Sequence, residues 1–232
     1  MTIQTAADYE DDRGNRVDCD GASHDTVRVV FHGTNNSLTI DPGAKLGQLT
    51  VEFGCNNATV RIGPNTGVSP FTGFLRLGED AAITIGKNVS TTGPCFISSV
   101  EGSTVTLGDD VMLASENEIR ADDAHPLFDV NTGLRVNPVR DISIGNHVWV
   151  AKRAVLLGGA VMGDGSVLGY GSILKGSVPN NSVAVGVPAK VVRRDVAWER
   201  PHLSLAEPFY KPDAGSVTKS EFWNATEEIP SN

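Results

Sequence analysis

Ile144 to Pro179 reads IGNHVW, VAKRAV, LLGGAV, MGDGSV, LGYGSI, LKGSVP when divided into sixes. The first position of each six is Ile144, Val150, Leu156, Met162, Leu168 and Leu174, apolar every time. The fifth is Val148, Ala154, Ala160, Ser166, Ser172 and Val178, small or β-branched every time. An α-helix, with ~3.6 residues per turn, cannot keep every sixth residue on one face, and a simple strand would alternate in twos. The beat fits short extended segments joined by regular turns, each turning an apolar residue inward. Stacked coils of this kind pair each with the next and bury a central column of side chains.

Outward from that stretch the theme continues. Upstream, SLTID, TVRIG, AITIG, TVTLG and DISIG recur at longer intervals, and LGDDVM, LASENE and IRADDA restore the hexad just before His125. The beat stops at His125-Pro126 and resumes near Ile142. Allowing for this break, roughly eight coils are expected. The reading is all-β: a solenoid over residues 27–194 with a protruding loop at 125–141. A polar N-terminal segment, 1–26, precedes it and is expected to be loosely held. After Arg194 the sequence reads as a short helix and an extended tail, 195–232. Its aromatics Trp198, Phe209, Tyr210, Phe222 and Trp223 are costly to leave in water, so the tail is expected against the solenoid or a neighbour.

Composition agrees. Aromatic content is only 6% against 40% hydrophobic, so the core must be aliphatic and thin. The 25 glycines and 12 prolines leave little room for long helices. A net charge of −9 argues against a nucleic-acid partner, whose affinity comes from phosphate neutralisation. Cys19, Cys55 and Cys95 are odd in number and far apart, as expected of reduced thiols in a cytoplasmic protein. The start MTIQTAADYEDDRGN lacks the features of a signal peptide, and no apolar run approaches the ~18 residues of a membrane span, so membrane insertion is not expected.

The hexads, of the form [Leu/Ile/Val]-Gly-x-x-[small]-x, resemble the hexapeptide-repeat acyltransferases over about Ser37 to Arg194, most specifically Leu107 to Arg194. The resemblance implies a left-handed parallel β-helix of triangular section. Within that family, galactoside, maltose and polysaccharide O-acetyltransferases carry a catalytic histidine on a loop that leaves the β-helix. The histidine often stands before proline and is followed by a return such as ITIGNNVWIG. Here the order is DDAHPLFD, a loop, then ISIGNHVWVA. The resemblance therefore implies that His125 is the catalytic base. Acetyl transfer to an alcohol requires removal of the hydroxyl proton, and an imidazole, with an ordinary pKa of about 6.5, can take it near neutral pH. Asp123 and Asp129 are the candidates to orient the ring. His147 falls at an outward hexad position and reads as surface. His24, His32 and His202 lie in less regular segments. The closely spaced histidine pair of the zinc carbonic anhydrases that share this fold is missing, so no metal is expected.

The ending VPNNSVAVGVPAKVVRR closely resembles the family ending G-[VN]-P-A-[KR]-x-[IV]-[RK]. In relatives this region and the last coils hold coenzyme A against a neighbouring subunit. That implies acetyl-coenzyme A as co-substrate, with Lys190, Arg193 and Arg194 as phosphate contacts. They form the densest basic patch of an acidic chain, although Pro188 also suits the first turn of a helix capping the solenoid. Gly158, Gly159 and Ala160 would let the pantetheine arm approach the backbone. Trp149 stands at an outward position where relatives often carry tryptophan, at the boundary between active site and subunit. No Walker lysine motif and no G-x-S-x-G elbow is present.

The expected function is acetyl-coenzyme-A-dependent O-acetylation of a carbohydrate. SENEIRADDAHPLFD looks most like the polysaccharide and capsule enzymes, since small-sugar enzymes often carry a second histidine soon after the first. Acetylation of a small sugar, an antibiotic or a sugar amine remains open, as does a non-enzymatic scaffold or a lapsed carbonic-anhydrase relative. A homotrimer is expected, because a flat face encloses no pocket and the resemblance implies a loop that reaches the neighbouring prism.

Overall fold

The computed structural model describes residues 2–208 and 210–226; Met1, Phe209 and the last six residues lie outside the described residues. Described residues form three sheets of eight, nine and six strands. A late coil shows the plan: Val155–Leu157 on the first sheet, Val161–Met162 on the second, Val167–Leu168 on the third. The next coil pairs with it in parallel on all three sheets. This is the parallel β-helix expected from the hexads. The first positions Ile144 to Leu174 and the fifth positions Val148 to Val178 are all interior, none more than 2% exposed. Each buried leucine or isoleucine contributes about 1.5–3 kcal/mol, so the column of first positions carries much of the stability.

Coil length explains why upstream segments recur at longer intervals. Ile62 pairs with Ile85 and Ile85 with Leu107, intervals of 23 and 22 residues. Ile144 pairs with Met162, an interval of 18, or three hexads. Leu107 pairs with Ile144, an interval of 37, which locates the inserted loop. Long early coils use up chain, so the first sheet has seven parallel strands behind an antiparallel lead strand. The β-helix therefore has about seven coils, one fewer than expected.

Both ends differ from expectation. The N-terminal segment is not loose: Thr2–Ala7 runs antiparallel to Ser23–Phe31, and Arg16–Asp18 pairs in parallel with Ser37–Ile40. Ala6, Val17 and Cys19 are buried there, and the Tyr9 ring stacks at 6.0 Å on Phe31, which stacks at 5.1 Å on Phe53. The segment thus closes the open end of the core. At the other end, Ala189–Arg193 is a strand folded antiparallel onto Val183–Gly186, with Gly186 at φ +103 in the reversal. Val191 and Val192 favour an extended chain, so Pro188 opens no helix. The only helix among the described residues is a single 3-10 turn, Glu221–Asn224. The short helix thus comes after the extended stretch, in the reverse of the expected order. Cys19 and Cys95 are buried thiols, and burial pushes them up to about 11 and about 12; Cys55 is exposed.

Candidate active site

The chain leaves the β-helix after Glu118–Arg120 on the first sheet and returns at Ile142–Ile144 on the second. Its exit is anchored by Asp122, a buried carboxylate that the sequence did not single out. Ser98 Oγ donates to Asp122 Oδ2 at 2.5 Å, the Ala124 amide donates to Oδ1 at 2.9 Å, and Arg76 lies 3.7 Å from Oδ1. The Ala124 amide bond helps hold that residue at φ +61, and the turn throws His125 outward to an exposed position.

Asn137, on the returning limb, closes the loop. Its Nδ2 donates to the His125 carbonyl at 2.9 Å and to Asp123 Oδ2 at 3.0 Å, while its Oδ1 accepts from the Leu127 amide at 2.6 Å. A Phe128–Arg135 bridge continues the hairpin, and Arg135 ties it to Glu101 at 2.6 Å. Asp123 thus sits beside His125 and shares its clamp. Asp129 does not. Its Oδ1 caps the hairpin tip, accepting from the Asn131 and Thr132 amides at 2.9 and 2.8 Å. The hydrogen bond from the Thr132 amide leads in holding its carboxyl below the usual carboxylate range.

The other sequence candidates fall in two places. Gly158 and Gly159 sit under the loop's feet. A Cβ on Gly158 would come within 2.9 Å of the Ala121 carbonyl, and one on Gly159, at φ +91, within 3.2 Å of the Arg140 side chain. The glycine pair is thereby explained by the loop's exit and return. Asp122, Asp123, Asn137, Arg140, Gly158 and Lys175 line a small basin of about 130 Å³ at this foot. Ala160 is fully buried; its amide donates to Leu157 and its carbonyl accepts from Ser143, so neither its methyl nor its backbone faces a ligand.

Trp149 lies on the third sheet, where the strand order runs Trp149–Val150, Val167–Leu168, Val183–Gly186, Ala189–Arg193. Trp149, Val167, Tyr170, Val183 and Trp198 line an apolar groove of about 630 Å³ on this face. Exposed Lys190 and Arg193 stand on the edge strand of the same sheet, with Arg194 just beyond it. One chain thus carries two separate features: the His125 loop at the edge between the first and second sheets, and the groove on the third.

His147 is not surface. It is 2% exposed, with Trp198 stacked 4.2 Å from its ring on one contact and Phe222 at 5.1 Å on another. The hexad rule correctly turns its Cβ away from the core, but the returning tail covers it. The tail aromatics Trp198 and Phe222 therefore do pack on the β-helix, whereas Tyr210 stays exposed. Among the described residues no group of three or more His, Cys, Asp or Glu is placed to hold a metal, and no helix is long and apolar enough to cross a membrane.

Comparison with known proteins fits this geometry. The family signature described as "Bacterial transferase hexapeptide (six repeats)" matches residues 141–176. The polysialic acid O-acetyltransferase of Neisseria meningitidis is 32% identical over 75% of this chain and 80% of its own length. The enzyme of the same name from Escherichia coli O1:K1 / APEC is 37% identical over 61% of this chain, which spans only 45% of that relative. The crystal structure of the polySia specific acetyltransferase NeuO superposes with a TM-score of 0.68 at 36% identity, covering 74% of this chain and 78% of that one. With repeat, fold and relatives in agreement, the chain belongs to the hexapeptide-repeat O-acetyltransferases.

Proposed function

We propose that this chain transfers the acetyl group of acetyl-coenzyme A to a hydroxyl of a carbohydrate, with His125 as general base. The observation that carries the reading is the one long excursion from the β-helix, clamped by Asp122 and Asn137 so that His125 stands clear of all three faces. The imidazole takes the hydroxyl proton as the oxygen forms its bond to the thioester carbonyl carbon. The carbon–sulfur bond then breaks, and the proton passes to the departing thiolate. Asp123, sharing the Asn137 clamp, helps fix the loop around the ring. The relatives named for polysialic acid support a polysaccharide, capsular or cell-surface, as the acceptor class.

The third face suits the donor. Its apolar groove matches a pantetheine arm, and Lys190 and Arg193 at its edge offer cations to the nucleotide phosphates. In a triangular section, the edge that carries the His125 loop lies opposite that face, so base and groove of one chain point apart. A homotrimer resolves this by setting the loop of one subunit beside the groove of the next. The loop is dressed for such a contact: Leu127, Val130 and Leu134 are 58%, 95% and 68% exposed. The donor and the buried reduced thiols fit the cytoplasm.

Thiol release from acetyl-coenzyme A, measured with and without a panel of capsular polysaccharides and small sugars, tests the reading. Polysaccharide-dependent release with an ester acetyl on the product supports it. Dependence on small sugars alone, an amide product, or no release with any acceptor overturns it. Sedimentation tests the trimer, and a fully active monomer contradicts the two-chain site.

A further inference from the structure

We infer that His147 and Asp110 are positioning residues, which lock the tail so that Trp198 forms one wall of the donor groove. The inference rests on the third face being the donor face. His147 sits at φ +51 in the corner between the second and third sheets, in a column of left-handed corner residues that includes Asn88, Asp110, Gly165 and Asn181. The tail runs back over that column. Val196 exchanges bonds with Asn181 and Trp198 with His147, while Arg200 donates to the carboxylate and carbonyl of Asp110. Alternate residues of an extended chain face one side, which is why 196, 198 and 200 dock. Gly165 leaves room: a Cβ there would lie 2.9 Å from Asn181 Nδ2 and 3.4 Å from the Phe222 carbonyl oxygen.

The lock is specific at His147. Its Nε2 lies 2.9 Å from the Trp198 carbonyl, which can only accept, so Nε2 carries a proton. Its Nδ1 lies 2.6 Å from Asp110 Oδ2. The other oxygen of that carboxylate accepts from Arg200 Nε at 2.7 Å, which keeps Asp110 ionised, so Nδ1 also carries a proton. The Trp198 indole donates back to the His147 carbonyl at 2.9 Å. His147 is therefore held as an imidazolium between Asp110 and a carbonyl, and stacked between two rings. Burial alone lowers its pKa, but the bonds to Asp110 and the Trp198 carbonyl, with the charges of Asp110 and Glu199, outweigh it and raise the value above 6.5. On Asp110 burial raises, while His147 and Arg200 together pull the value below 3.8.

The consequence lies next door. Trp198 stands 6.1 Å from Trp149 at 45°, and both line the groove. Loosening the tail removes that wall without touching the His125 loop. The folded pKa of His147 is raised, so its contribution is complete below about 6.5 and is lost as pH rises through the folded value. Alkaline pH therefore opens the groove.

The test uses Trp198→Ala, His147→Gln and, as the conservative partner, Trp198→Phe, with acetyl-pantetheine beside acetyl-coenzyme A as donors. Expected are KM values raised about tenfold for both donors in the first two variants, with kcat within about twofold, and a smaller rise of about threefold for Trp198→Phe, which keeps a ring in the wall but loses the indole bond to His147. Wild-type KM should also rise from pH 6.5 to 9, and Trp198→Ala should lack that rise. Unchanged KM in both Trp198→Ala and His147→Gln overturns the inference while leaving the acetyltransferase reading intact. A loss seen in kcat alone overturns it too. If the wild type turns over neither donor, the acetyltransferase reading fails; calorimetric binding of coenzyme A by wild type and Trp198→Ala then decides the groove wall separately, equal affinities overturning it. Should Trp198→Ala melt early, His147→Gln and Asp110→Asn carry the test by the same criteria.

Discussion

Two histidines stand at opposite extremes of this molecule. His125 lies on a loop outside the repeat, exposed, with its backbone clamped by Asn137. His147 lies inside the repeat, at a position the hexad turns outward, and is buried beneath a tail residue 51 positions downstream. A repeat fixes the direction of each Cβ because neighbouring coils enforce it locally. It says nothing of what later arrives to cover an outward position. One histidine is therefore left open to solvent on its loop, while the other is bonded and stacked beneath the tail.

The contrast can be broken from the loop side first. Asn137→Ala removes three hydrogen bonds, two to the backbone of His125 and Leu127 and one to the Asp123 carboxylate. We expect kcat to fall about tenfold with the melting temperature almost unchanged, since misplacement by an ångström commonly costs that or more. Turnover equal to wild type would show that the clamp does not set the position of His125. On the groove side, Lys190→Ala with Arg193→Ala should raise KM for acetyl-coenzyme A about fivefold and leave kcat alone, because contacts remote from the thioester bind ground and transition states alike. Acetyl-pantetheine should show no such change; an equal rise with that donor would place the two cations elsewhere. Smallest is Asp129→Ala. Its carboxylate caps the hairpin tip, so turnover should stay within about twofold. A drop like that of a lost general base would return Asp129 to the chemistry.

Much of the fold was legible because it is local and periodic. Ile144 to Leu174 are interior as the hexad requires, and the single interruption marked the loop. The coil count came out high because the intervals of 22 and 23 between Ile62, Ile85 and Leu107 hide extra corner residues. The site was legible only in part. His125 could be singled out from the break in the repeat, and it stands exposed on that loop, but Asp122 and Asn137 act through partners 24 and 10–14 residues away, with no spacing rule to reveal them. Gly158 read as an approach for a ligand, whereas the loop's foot at Ala121 already requires it. Ala160 obeyed the fifth-position rule and belonged to the core from the start. The tail kept its secret for the same reason as His147. Trp198 and Arg200 show the two-residue spacing of a docked strand, but their partners lie in coils far upstream.

The most direct measurement is kcat at saturating acetyl-coenzyme A for His125→Ala beside His147→Ala, each checked by circular dichroism for an intact β-helix. The account predicts a loss of about 100-fold or more for His125→Ala with donor affinity retained, as expected when a general base is removed. For His147→Ala it predicts kcat within about threefold of wild type, with the damage confined to KM and to the tail. Near-wild-type turnover in His125→Ala, or an equal collapse of kcat in both variants, would contradict it.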